Sequence, residues 1–194
     1  MTLIFIILTF FIGALPFSVW LGQVALKTDI RTHGDQNPGC SNVLRAGGWR
    51  WGALALMLDS FKGAIPLWLA RVAFGWHGWP LVGLALAPIL GHAFSPFLRF
   101  RGGKAVAVTF GIWAGLTLWE IPTLLGLALG IWFAFMAISG WAMMFAMLSL
   151  LPYLWYQQSD WLLLTIWLGN TLILAWKHHA DLVQWPRLRE RFQR

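Results

Sequence analysis

"AVAVTFGIWAGLTLWEIPTLLGLALGIWFAFMAI", residues 105–138, reads either as one very long apolar helix or as two short ones parted at Glu120-Ile121-Pro122. An acid followed closely by proline marks a tight turn at a membrane face, because the carboxylate belongs in water and proline cannot continue a helix. We divide the stretch into Ala105–Leu118 and Ile121–Ile138. This division sets how many times the chain crosses a bilayer, and so the side on which each polar segment lies.

The bilayer itself is required by composition. Of 194 residues, 59% are hydrophobic and only 11% charged, too much apolar surface for a water-soluble domain of this size. A helix needs about 20 apolar residues to cross the hydrocarbon core. Besides the two short runs, five more are separated by charges, Gly or Pro: Thr2–Leu26, Trp51–Phe74, Trp79–Phe97, Trp141–Tyr156 and Trp161–Trp176. The first lacks a basic leader and its apolar stretch is too long for a signal peptide, so it reads as a retained helix. The expected fold is all-α: one polytopic integral membrane domain over residues 1–194, with seven transmembrane helices.

Charge sets the orientation. Lys27, Arg31, Arg45 and Arg50 lie in the first loop, Arg99, Arg101 and Lys104 in the third, and Lys177, Arg187, Arg189, Arg191 and Arg194 in the tail. The alternate connections hold no Lys or Arg. The positive-inside rule then places the N-terminus outside and the C-terminus in the cytoplasm, and an odd number of spans is what this parity demands. The fifteen tryptophans suit interfacial anchoring. Cys40 is the single cysteine, so no intrachain disulfide forms, and it reads as a small residue filling a loop.

The polar residues collect at the cytoplasmic side. In "HGDQNPGCSNVLRAGG", residues 33–48, glycines permit positive φ, Asn37, Ser41 and Asn42 are donors, and Arg45 offers a planar fork for phosphate. In "GHAFSPFLRFRGGKAVAV", residues 91–108, Gly102 and Gly103 precede Lys104, which is expected to open the next helix, so N–H groups, a helix dipole and an ammonium converge. The glycine spacing is not that of a Walker A loop. Asp59 and Lys62 share a helix face, either as an orienting ion pair or with a direct role. His92, His178 and His179 are either acid–base groups or hydrogen-bonded structural residues. No metal set, cofactor or nucleic-acid partner is expected. These features describe a membrane protein with a cytoplasmic anion site.

The linked motifs go further. Gly13-Ala14-Leu15-Pro16-Phe17, Asp29-Ile30-Arg31, His33-Gly34 with Asn37, Gly39, Asn42 and Arg45, Asp59 with Lys62-Gly63 and Pro66, the 91–106 stretch, and His178 with Glu190 together resemble the bacterial acyl-phosphate:glycerol-3-phosphate acyltransferases of the PlsY type. The resemblance implies a multi-pass enzyme of the bacterial inner (cytoplasmic) membrane that moves a fatty acyl group from acyl phosphate to glycerol 3-phosphate. The products are lysophosphatidic acid and phosphate, in phospholipid biosynthesis. It implies acyl phosphate, glycerol 3-phosphate and membrane lipid as partners, with oligomeric state left open. Arg45 and Lys104 would clamp phosphate and His178 would position glycerol phosphate. Asn37, Gly39, Ser41, Asn42, Gly102, Gly103, Ser139 and Glu190 would complete the substrate site. An acyl phosphate is already an activated mixed anhydride, so no covalent enzyme nucleophile is needed.

The chain also departs from that family. Asp35 replaces a serine, Ala105 a glycine, Met136 an arginine and Ala142 a serine, while His179 and Asp181 stand where the family has Arg and Asn. An anion at position 35, if it faced phosphate across about 4 Å at an effective dielectric near 20, would oppose binding by roughly 4 kcal/mol. Turned outward, capping a helix or paired with an arginine, it would not. Two further readings stay open: a diverged, non-catalytic or altered-acceptor paralogue that binds a phosphorylated lipid precursor, and a small transporter of a phosphorylated solute.

Overall fold

The computed structural model describes residues 2–156 and 161–190. Every regular element among them is helical: α1 (Thr2–Ala14), α2 (Phe17–Ala25), α3 (Cys40–Gly47), α4 (Trp49–Val72), α5 (Trp79–Ala93), α6 (Val106–Thr117), α7 (Glu120–Phe135), α8 (Ser139–Ser149), α9 (Leu151–Tyr156), α10 (Trp161–Lys177) and α11 (His179–Leu182). Helices follow all seven apolar runs, α1 with α2 and α8 with α9 each sharing one. Three stretches, Thr2–Ala25, Trp49–Val72 and Pro80–Leu98, are long and apolar enough to cross a membrane by length and composition. The described chain displays Leu3, Ile7, Phe61, Ile65, Ile131 and Leu172 outward, which in water would be an unsupportable surface.

The division within residues 105–138 is present, two residues earlier than the proline suggests. Leu118 takes a left-handed φ of 55° and ends α6, whereas Glu120 is already the first residue of α7. Pro122 falls in the first turn of α7, where its missing N–H costs nothing. The Tyr153 hydroxyl donates to Glu120 at 2.7 Å, fixing the turn to α9. The first polar loop is also more ordered than its composition suggests. Residues 40–47 wind into α3, which presents Asn42 and Arg45 one turn apart.

Two helix pairs pack at backbone distance. A methyl at Gly13 or Gly91 would collide with Pro88 and Phe10 backbone respectively, so α1 lies directly on α5. Gly111 and Gly115 likewise meet Ser60 and Ala64 across the α4–α6 contact. Lipid tails are as apolar as leucine, so close packing of small residues is what draws such helices together.

A buried charge cluster ties α1, α2, α4 and α5. Pro16 separates α1 from α2, and the carbonyls beside the break turn to side-chain donors: Ser95 Oγ donates to Ala14 at 2.6 Å and Lys62 Nζ to Leu15 at 2.8 Å. Lys62 and Asp59 are 2.8 Å apart with both side chains 1% exposed. Ser18 donates to Asp59 at 2.5 Å, and Lys62 reaches His92 Nδ1 at 2.9 Å. The ion pair is buried and joins four helices, while Asp59 also borders the cavity described below.

Removing one partner strands the other charge. Lys62→Met is expected to destabilise by roughly 3–5 kcal/mol, and Asp59→Asn together with Lys62→Met to recover most of that loss. Thermal unfolding in detergent measures both. A double variant no more stable than the single one would show that the pair does not act as a unit.

Candidate functional site

Four elements converge on one cavity of about 420 Å³. The 35–39 loop and α3 contribute Asp35, Asn37, Gly39, Cys40, Ser41 and Arg45; α4 contributes Leu56 and Asp59; the segment entering α6 contributes Lys104; and His178 follows α10. Ser139, at the start of α8, completes the polar rim. His92, near the end of α5, also lines it, and the rest of the wall is apolar, with Val106, Phe110, Leu129, Phe133 and Met143. A basic, hydrogen-bonding mouth thus leads to a greasy slot.

Arg45 is held by its own turn of helix: its Nη1 donates to Asn42 Oδ1 at 2.6 Å. The Asn42 amide donates in turn to the Asn37 carbonyl at 2.8 Å and to Asp35 at 3.2 Å. Gly34 lies against this network with a φ of 53°, and a side chain there would strike Asn42 and Arg45. Glycine serves that position on both counts, since it alone adopts left-handed backbone without strain and leaves room for the guanidinium.

Lys104 meets two carboxylates. Asp35 Oδ2 is 3.0 Å away and Asp181 Oδ2 is 3.5 Å away. Asp35 also lies 3.9 Å from Arg45. Burial pushes the Asp35 carboxyl upward, but the Lys104 hydrogen bond and charge, the Asn37 N–H and the Arg45 charge outweigh it and hold the group below the ordinary carboxylate range. Asp35 therefore points into the site as an anion already paired with its cations. Ser139 Oγ donates to Asp181 at 3.1 Å, joining α8 to the same cluster.

His178 is 3% exposed and its Nδ1 lies 2.8 Å from the Leu174 carbonyl. A carbonyl only accepts, so Nδ1 carries the hydrogen and Nε2 is left for the cavity. The Cys40 thiol is pushed up to about 11, by burial first and then by the Asp59 charge, so it stays protonated and inert. No group of three or more His, Cys, Asp or Glu side chains among the described residues has the arrangement of a metal site.

Other sequence expectations land elsewhere. Lys104 does not open a helix: α6 begins at Val106, and Ala105 between them has a left-handed φ of 61°. That backbone explains why glycine is the resembling family's residue there. Gly102 and Gly103 do not line the cavity; Gly103 N–H donates to the His92 carbonyl at 3.1 Å, and both glycines pack too tightly on His92 and Ala93 to admit a side chain. They set the path of the loop that delivers Lys104. Glu190 is exposed and outside the cavity lining. Met136 sits in an antiparallel bridge with Leu188, and Ala142 is fully buried in packing. The apolar wall carried no signal in the sequence, because its residues are of the same types as those facing lipid.

The family model described as glycerol-3-phosphate acyltransferase matches residues 3–186. The chain is 36% identical over 191 residues to glycerol-3-phosphate acyltransferase 1 of Thermotoga maritima, covering 91% of this chain and 94% of that one. It is 35% identical over 178 residues to a glycerol-3-phosphate acyltransferase of Lacticaseibacillus casei, covering 90% and 84%. Among solved structures it resembles PlsY, an integral membrane glycerol 3-phosphate acyltransferase, in its glycerol 3-phosphate form, with a TM-score of 0.84 and 27% identity over 94% of this chain and 90% of that one. The lysophosphatidic acid form superposes with a TM-score of 0.83.

Backbone strain at the loop gives a direct check. Ala105→Gly is expected to stabilise by about 1 kcal/mol by relieving the left-handed conformation, and Gly102→Ala to destabilise by roughly 1–3 kcal/mol through overpacking. Thermal melts of the two variants in the same detergent should move in opposite directions. A Gly102→Ala protein that melts with wild type would remove close packing as the loop's anchor.

Proposed function

The chain belongs to the glycerol-3-phosphate acyltransferase family, and from that premise we propose that acyl phosphate is its donor and that Arg45, Lys104 and His178 act jointly on the two substrates. The chain is a membrane glycerol-3-phosphate acyltransferase. What carries the proposed division of labour is one observation: Arg45, Lys104 and His178 border a single cavity that continues into an apolar slot.

The acyl chain lies along Phe110, Leu129, Phe133 and Met143, and the phosphate of the mixed anhydride sits between Lys104 and Arg45. Charge-assisted bonds there stabilise negative charge as the C–O bond to phosphate breaks. The acceptor hydroxyl approaches from the His178 and Ser139 side, with Nε2 placed to accept its hydrogen bond. Attack of the hydroxyl oxygen on the acyl carbon forms the ester, expels phosphate and transfers the hydroxyl proton to the departing phosphate or to solvent. Asn37 and Asn42 keep Arg45 and the loop in register, Ser41 and Gly39 border the substrates, and Gly102 and Gly103 act only through the path of the loop that delivers Lys104. Glu190 has no part in this arrangement.

Asp35 and Asp181 are the resident anions of the phosphate position. An incoming phosphate gains Lys104 only by displacing at least one carboxylate, so the acceptor and donor bind against internal competition. Because Asp35 is held below the ordinary carboxylate range, this competition is fully present at neutral pH. Its contribution to folding is present above the unfolded-state value near 3.8 and is lost as pH falls through the lower folded value.

The same reading places one membrane domain with seven spans in a bacterial cytoplasmic membrane, N-terminus outside and tail inside. Support comes from seven helical runs and from Lys and Arg concentrated at the cavity's end of the molecule. Both substrates carry phosphate, one being soluble and the other lipidic, which suits a site at the inner membrane surface.

Purified protein in detergent should release phosphate from acyl phosphate only when glycerol 3-phosphate is present. Lys104→Ala or Arg45→Ala is expected to lower kcat/KM about 100-fold or more. Asp35→Asn should lower KM for acyl phosphate several-fold with kcat retained. A KM that rises instead would make Asp35 a ligand of the donor rather than its competitor.

A further inference from the structure

At the far end of the bundle lies a second cavity of about 250 Å³, lined by Arg71, His77, Gly78, Leu81, Leu116, Leu162, Leu163 and Ile166. Arg71 closes α4, His77 and Gly78 lead into α5, Leu116 ends α6, and the last three open α10. Residues farther along the same four helices, or next to their ends, line the catalytic cavity: Leu56 and Asp59, His92, Val106 and His178. Along α4, Asp59 of the catalytic cavity and Arg71 are twelve residues apart, about 18 Å of helix. The two cavities are thus well separated along the bundle.

Arg71 stands apart from the other described cations. Among the described residues, the remaining Lys and Arg side chains lie at the catalytic end or, for Lys62, in the buried pair, and Arg71 alone sits at the far end. A cation there runs against the distribution that orients membrane proteins. No described residue pairs with it, and no carboxylate among the described residues lines the cavity. The loop that carries His77 is fixed: Phe5 packs edge-on against both Phe74 and Trp76, and Gly75 and Gly78 take left-handed φ of 62° and 71°. Below the two basic groups the walls are wholly aliphatic. Trp79 and Trp161 are exposed beside them, as interfacial anchors are.

We propose that this crevice binds the phosphate group of a membrane phospholipid, with Arg71 and His77 on the phosphate and the lipid's acyl chain descending past Leu81, Leu116, Leu163 and Ile166. Its volume is below the roughly 300–1,000 Å³ of pockets that enclose a whole small-molecule ligand, and suits a headgroup whose chains remain in the bilayer. The guanidinium supplies planar bonds to the phosphate oxygens and the imidazole a second donor. The site is separate from catalysis, and it stands whether or not acyl phosphate is the donor.

The test uses delipidated full-length protein in detergent, with phosphatidylglycerol, chain-matched diacylglycerol and inorganic phosphate as probes, read by native mass spectrometry and by thermal unfolding. Phosphatidylglycerol should remain bound and raise Tm, while diacylglycerol does neither. Arg71→Gln with His77→Gln should weaken phosphatidylglycerol retention about tenfold, whereas Arg45→Gln, which alters only the catalytic cavity, should leave it intact. Turnover by the Arg71 and His77 variant should match wild type. Equal retention of diacylglycerol by the wild-type protein would overturn the proposal, and that reading needs no variant to fold. So would retention that survives the far-end substitutions or is lost in Arg45→Gln. Protection by inorganic phosphate that depends on Arg71 would replace the lipid by a free anion.

Discussion

The ion pair between Lys62 and Asp59 is the constraint around which the rest is arranged. An ammonium and a carboxylate without water are tolerable only if each remaining donor and acceptor finds a partner. Lys62 donates to the Leu15 carbonyl beside the helix break, meets His92 Nδ1, and faces the Asp59 carboxylate at 2.8 Å as an ion pair. Those partners lie on α4, between α1 and α2, and on α5, so satisfying one charge fixes three pieces of backbone. The carbonyl of His92 then accepts from Gly103, whose neighbour is Lys104. A buried structural cation thus sets the position of the half-buried cation that lines the cavity.

Lys177 strengthens the same join from the other side. Its ammonium donates to the Ala93 and Gly102 carbonyls at 2.9 and 3.0 Å, binding the end of α10 to the loop before α6. His178 is the next residue, so the histidine and Lys104 are carried on segments held together by this lysine. The groups that border the cavity come from remote parts of the sequence: His178 and the Lys104 loop are placed by hydrogen bonds to main-chain carbonyls, Arg45 by the Asn42 side chain.

The electrostatics of the site follow from the chain's own departures. Asp35 and Asp181 pair with Lys104, and the Ser139 hydroxyl donates to Asp181. A lysine left bare in a half-apolar cavity would be costly, and the two carboxylates reduce that cost. In the proposed mechanism they do so at the expense of phosphate affinity.

The sequence by itself determined the solvent, the seven apolar runs, the family and the two cations, Arg45 and Lys104, that line the cavity. Each depends on composition, on periodic length or on residue types in local register, and those are properties of the chain read in order. It also marked Asp35 and Ala105 as departures, but not their meaning. Only the tertiary structure decided that Asp35 turns inward onto Lys104, since that direction depends on a lysine sixty-nine positions away. It decided too that Gly102 and Gly103 serve close packing on His92 rather than offering donors, and that Glu190 stands outside the cavity. The apolar slot was invisible beforehand for a simple reason. In a bilayer protein a phenylalanine facing a substrate's chain and one facing lipid meet the same chemistry, and only the packing of neighbouring helices tells them apart.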